Sequence, residues 1–190
     1  MTLTHEPTAS QLKSALLAVR DLPSGYVVEL QGTNPSGKNT CPQVTGSSPE
    51  PEAKEVFIAF VSSRTVGNVT FVIERLVGST LSGARVIFSH WVSGTRKCER
   101  PAFADSKVKM AIRLASENFA KVASQAIAWQ VTGTLTESGV GIPISGEMVL
   151  IQDGYVDIEL DNLRLVLPGD TTLTRQAAAR AVAKVGSIRG

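Results

Sequence analysis

The chain is short of the residues that most often do chemistry. Its 190 residues include two cysteines and two histidines, Cys41, Cys98, His5 and His90. That inventory fills a four-ligand Cys/His zinc site in only one combination. No Cys-x-x-Cys pair is present, so the usual redox motif is missing. No His-Glu-x-x-His and no Gly-x-Ser-x-Gly occurs, which removes the metalloprotease helix and the hydrolase nucleophile elbow. Charge of one sign is equally scarce. Nineteen Lys and Arg against seventeen Asp and Glu leave a net +2, too little to point to a nucleic-acid partner. No apolar run reaches the 18 residues that a membrane-crossing helix needs. The opening Met1-Thr-Leu-Thr-His-Glu-Pro7 has neither a basic n-region nor an apolar h-region. The chain is therefore expected to be cytosolic or to have lost a leader.

What is present suits a globular domain. Apolar residues make up 43% and charged residues 19%, which argues against global disorder. The length fits one domain with a sizeable core. Residues 1–7 read as a tail and 8–190 as a single domain. Within it, 32–53 form a flexible loop that holds Pro35, Pro42, Pro49 and Pro51.

Periodicity places the elements. Leu12, Leu16 and Val19 mark a helix from Thr8 to Arg20, with Thr8 as N-cap and Gln11 at the capping-box position. Pro23, Ser24 and Gly25 stop it, and Tyr26–Leu30 reads as a strand. Residues 55–61 and 68–75 read as two strands with a turn near Gly67. Leu81, Ala84, Phe88 and Trp91 recur at three- and four-residue steps and predict a helix that ends before Cys98. Period-2 alternation then marks strands over 107–114, 127–135 and 155–161, with a more apolar strand over 144–152. Asp153-Gly154 is a two-residue hairpin signal. A last helix runs from Thr171 to Val185, capped by Asp170 or Thr171 and lined by Leu173, Ala177, Ala181 and Val185. The predicted class is α+β: a curved antiparallel sheet of about six strands packed by three helices on one side, with one disulfide. Cys41 lies in the Gly/Pro loop and Cys98 in a Lys/Arg-rich turn, off any apolar face. The pair reads as a disulfide and implies an oxidising compartment. Closing that loop would stabilise the fold by about 4 kcal/mol.

Each chemical candidate has a plainer competitor. Gly32-Thr-Asn-Pro-Ser-Gly-Lys-Asn39 approaches a phosphate-binding loop, but Asn39 stands where Ser or Thr should reach magnesium, and more loop follows instead of a helix. His90 has no partner in the pattern. Asp157, Glu159 and Asp161 share one strand face, a cation site or, more simply, a solvated face opposite a basic strand. Lys107, Lys109 and Arg113 could hold an anion or pair across strands. A sheet face with Gln130, Thr132 and Thr134 beside Arg113 and Glu147 could line a polar cleft. The ligand-binding candidates are thus Lys109, Arg113, Gln130, Thr132 and Glu147. No catalytic residue, metal ligand or cofactor is assigned.

Leu12 to Leu17 followed by Asp21-Leu-Pro-Ser-Gly-Tyr26 resembles the opening of a family of actinobacterial envelope proteins. These are lipoproteins and the extracellular sensor domains of PknH-type receptor Ser/Thr kinases. Cys41, Cys98, the hairpins around Ile142–Gly146 and Asp153-Gly154, and the Ala-rich last helix are similar too, over roughly residues 9–189. The resemblance implies a curved antiparallel sheet with a cleft, an extracytoplasmic setting in the cell envelope, and sensing or binding without catalysis. The sensor domains carry two disulfides, whereas this chain can form only one. It also carries no kinase domain, membrane span or lipobox cysteine, so the resemblance favours a stand-alone lipoprotein with any lipid anchor upstream. The partners it implies are a small molecule, a lipid or a cell-wall component. The alternative is a structural module that docks an envelope protein.

Overall fold

The computed structural model describes residues 6–32, 38–39, 48–65, 68–104, 108–119 and 121–188. His5, Cys41, Lys107 and most of the 32–53 loop, with the centre of its phosphate-loop look-alike, lie outside the described residues.

The first helix, α1 (Ala9–Ala15), starts as expected. The Thr8 hydroxyl accepts from the Gln11 N–H, and the Gln11 side chain accepts from the Thr8 N–H. It ends early at Leu16, and a single 3-10 turn (Val19–Asp21) replaces the rest of the expected helix. Nine strands follow: β1 (Tyr26–Gly32), β2 (Lys38–Asn39), β3 (Lys54–Thr65), β4 (Asn68–Gly78), β5 (Ala102–Ala104), β6 (Val108–Glu117), β7 (Gln125–Glu137), β8 (Val140–Asp153) and β9 (Val156–Leu165). Helix α2 (Leu81–Lys97) lies between β4 and β5, and α3 (Thr171–Ser187) closes the described chain. All nine strands join one antiparallel sheet in the order β1-β3-β4-β9-β8-β7-β6-β5-β2.

Three parts of the expected fold need correction. Among the described residues the sheet has nine strands rather than about six. Seven are long, while β2 and β5 have two and three residues, too short for alternation to register. The helices cover both faces rather than one. On the first face, α1 and α3 bring Leu12, Leu16, Leu173, Ala177 and Val185 onto Val56, Phe60, Val72, Leu76, Ile158 and Val149. On the second, α2 brings Ile87, Phe88, Trp91 and Val92 onto Trp129, Val131, Leu114, Met148 and Leu150. Finally, no disulfide joins two described residues. Cys98 is not a free thiol and packs at the edge of the α2 cluster, but Cys41 lies outside the described residues.

The two-sided cover also overturns the reading of Asp157, Glu159 and Asp161 as a solvated face. Strand β9 lies between β4 and β8 in the middle of the sheet, away from the basic strand β6. Asp157 is fully buried and Glu159 nearly so. Glu159 pairs with Arg75 at 3.0 Å, and Arg75 also bonds Glu55 at 2.8 Å. The Arg75 guanidinium carbon sits 4.9 Å from the centre of the Trp91 ring. One cation thereby links β3, β4, β9 and α2. Asp157 has no such help. Among the described residues neither of its oxygens has a hydrogen-bond partner, and burial pushes its carboxyl up to about 9. Burial, reinforced by the neighbouring Glu159, likewise raises Asp161 well above the usual carboxylate range. Among the described residues, no group of three His, Cys, Asp or Glu is placed to hold a metal ion. Nor is any helix among the described residues long and apolar enough to cross a membrane.

Candidate functional site

The first face changes character toward one end of the sheet. Following paired residues across seven strands gives Tyr26 on β1, Ser62 on β3, Thr70 on β4, Arg164 on β9, Ser145 on β8, Thr132 on β7 and Arg113 on β6. Every side chain in this row carries a polar group. The row two residues inward is partly apolar, with Phe60, Val72, Asn162, Glu147 and Gln130. The helices seal only the inner rows, so the outer row is where the sheet meets solvent.

The start of α3 stands over this row, and β9 fixes it there. Asn162 Nδ2 donates to the Asp170 carbonyl and to the Thr174 hydroxyl, both at 3.0 Å. Asp170 caps the helix by accepting from the Leu173 N–H at 3.1 Å. Between β9 and α3 the chain turns back across the sheet. Ser145 Oγ donates to the Leu167 carbonyl at 2.6 Å, and Arg164 Nη1 donates to the Pro168 carbonyl at 3.1 Å. Val166 sits at φ 69° in this turn, with the Leu167 N–H bonded to the Leu165 carbonyl across it. A β-branched residue at positive φ in such a γ-turn is strained, at a cost of roughly 1–3 kcal/mol. Gly146 on β8 lets the β9 backbone come close. A Cβ there would lie 1.9 Å from the Asn162 carbonyl oxygen.

A groove of about 510 Å³ opens between α3 and the polar row. Pro23, Tyr26, Ser62, Thr70 and Arg164 line one wall, and Asp170, Thr172, Leu173 and Gln176 the other. Its volume lies in the range typical of small-molecule sites, roughly 300–1,000 Å³. Ser62 and Thr70 face each other in the β3–β4 register and are each only 7% exposed. Among the described residues neither hydroxyl has a hydrogen-bond partner. Arg164 Nε is buried and also has none. An unmet buried polar group costs about 1–3 kcal/mol, so Arg164 Nε is poised for a ligand that meets it, and the two hydroxyls line the same groove.

All five residues expected to bind a ligand lie on strands of this face, but outside the groove lining. Arg113 and Thr132 form the far end of the polar row and are exposed, as are Gln130 and Lys109. The 166–169 turn separates them from the groove. Glu147 is buried. Burial raises its carboxyl, the nearby Glu117 carboxyl adds to the rise, and the Thr174 hydroxyl and Arg175 oppose it. His90 lies half-buried on α2, on the opposite face. Tyr26, Ser62, Thr70 and Arg164 escaped the sequence reading because the register joins residues distant in the chain. One signal was available. Ser62 continues the inward series Val56, Ile58, Phe60, and Thr70 precedes Val72 on the same face, so each is a polar break in an apolar alternation.

No protein-family model matches the chain, and no curated protein matches it. Among solved structures, the fold is similar to the extracellular domain of PknH from Mycobacterium tuberculosis. The TM-score is 0.69 at 14% identity, covering 96% of this chain and 98% of that one. An uncharacterised protein from Mycobacterium smegmatis aligns over 96% of this chain and 95% of that one at 13% identity, with a TM-score of 0.41. The chain therefore shares the fold of the PknH extracellular domain.

Proposed function

We propose that this chain is an extracytoplasmic sensor-like domain that binds a ligand in the groove under α3 and catalyses no reaction. The observation that carries the reading is the facing pair Ser62 and Thr70, nearly buried residues whose hydroxyls line an open groove. The fold shared with a kinase extracellular domain supports the setting. A nuclear magnetic resonance fragment screen against the whole chain tests the site. Shifts should concentrate on residues flanking Ser62, Thr70, Arg164 and Leu173, and Arg164→Gln should weaken them. Hits confined to the α2 face would refute the reading. The extracytoplasmic setting, and a lipid anchor lying outside this chain, are tested by cell fractionation and fatty-acid labelling of the protein made from its native gene.

A second reading, a module that docks an envelope protein, draws on the edge strand β1. Val27, Val28 and Leu30 there are 57%, 46% and 57% exposed, on a strand that among the described residues is paired on one side only. Cross-linking through Val28→Cys in whole envelopes tests it; the absence of any adduct would set this reading aside.

A further inference from the structure

We infer that the groove recognises a neutral, polyhydroxylated ligand, a saccharide unit, through Ser62, Thr70, Thr172, Gln176, Arg164 and Asp170. This inference rests on the groove reading above and names its chemistry. The charges that line the groove cancel, with Arg164 as the cation and Asp170 as the anion. The N-terminus of α3 would ordinarily invite an anion. Here Asp170 occupies that position as the N-cap, so a phosphate or carboxylate would meet a carboxylate at close range. A cationic ligand would meet Arg164. Besides the Tyr26 phenol, the remaining polar groups are three hydroxyls and an amide, each able to donate and to accept. A sugar hydroxyl is the ligand group that does the same. Ser62 and Thr70 are directly opposed on neighbouring strands, which sets their Cβ atoms about 5 Å apart. Adjacent hydroxyls on one ring can bridge that separation. Tyr26, Pro23 and Leu173 supply apolar wall for the C–H face of such a ring.

The test titrates the ¹⁵N-labelled full chain with glucose, galactose, mannose, myo-inositol and maltose. Glucuronate and glucose 6-phosphate are titrated in parallel at matched ionic strength. Saturable shifts at residues flanking Ser62, Thr70 and Leu173 are expected from at least one neutral compound, with its anionic counterpart at least fivefold weaker. Thr70→Val keeps the shape and removes the hydroxyl. It should weaken binding about tenfold while the rest of the spectrum is preserved. Methyl glycosides of the binding sugar separate two sources. Retained affinity marks a site for a glycan end, and lost affinity a site for free sugar. The inference is overturned if no neutral compound binds at 50 mM, if the anions bind more tightly, or if Thr70→Val binds like the parent. In each case fragment binding in the groove would leave the groove reading intact, whereas shifts elsewhere would remove both.

Discussion

Asp157 offers a quantitative test of how the sheet is covered. It is fully buried on β9, opposite Gln152 and Val77, and has no partner for either oxygen. Its carboxyl is pushed from 3.8 to about 9 by burial alone. The unfolded chain gives up this proton near pH 4 while the folded chain keeps it. Stability from this group is therefore whole below the unfolded pKa and declines as pH rises toward the folded one. Each pH unit in that window is worth about 1.4 kcal/mol. Between pH 4.5 and 8 the loss amounts to roughly 5 kcal/mol, an order-of-magnitude upper figure comparable to the whole stability of many domains. Asp157→Asn has nearly the same volume and cannot titrate. Parent and variant should differ little at pH 4.5 in urea unfolding followed by circular dichroism. The variant should gain on the parent steadily with pH and exceed it by several kcal/mol at pH 8. Glu74, buried on β4 with its carboxyl pushed up to about 8 by burial, titrates in both proteins, as do Glu159 and Asp161, so all three drop out of the comparison. Parallel stability curves from pH 4.5 to 8 would refute the reasoning, because Asp157 would then be ionised or solvated in the fold.

Two further outcomes follow from the packing. Arg75→Met removes the cation between Glu55, Glu159 and Trp91 and leaves buried carboxylates unpaired. A loss of about 3–5 kcal/mol in urea unfolding at pH 7 is expected, and a loss under 1 kcal/mol would show the network to be dispensable. Val166→Gly relieves the positive φ in the turn beside the groove. A thermal melt should show a gain equivalent to about 1 kcal/mol, less than the strain because glycine adds freedom to the unfolded chain; a lower melting point would contradict the γ-turn account.

Much of the architecture was legible because it is written in local pattern. The Thr8 cap, the Asp153-Gly154 turn with Gly154 at φ 67°, and the apolar line Leu173, Ala177, Ala181, Val185 on α3 appear where periodicity and capping place them. The second layer was not legible. Alternation reports that two faces differ, but polar residues in the second set do not have to meet water. On β9 they meet Arg75 and the interior instead. The candidate site was legible only to the level of a sheet face. Arg113 and Thr132 belong to the polar row, but its groove-lining end depends on a register that sets Thr70 against Arg164 and on where α3 begins. No short window of sequence holds that information.

The position of β9 has a consequence for how the molecule is made. In the sheet order, β4 and β8 touch β9 and never each other. Everything synthesised up to Asp153 therefore amounts to two separate half-sheets, each ending in an open edge. The last strand bridges them, with partners as distant as Arg75 and Glu159, 84 residues apart. Such long-range closure is slow, and until it occurs both edges can recruit the wrong strands. A nascent chain halted before Val156 would be an unjoined and association-prone intermediate, not a smaller version of the domain. A chaperone that held it until α3 emerged would protect the edges of β4 and β8 above all.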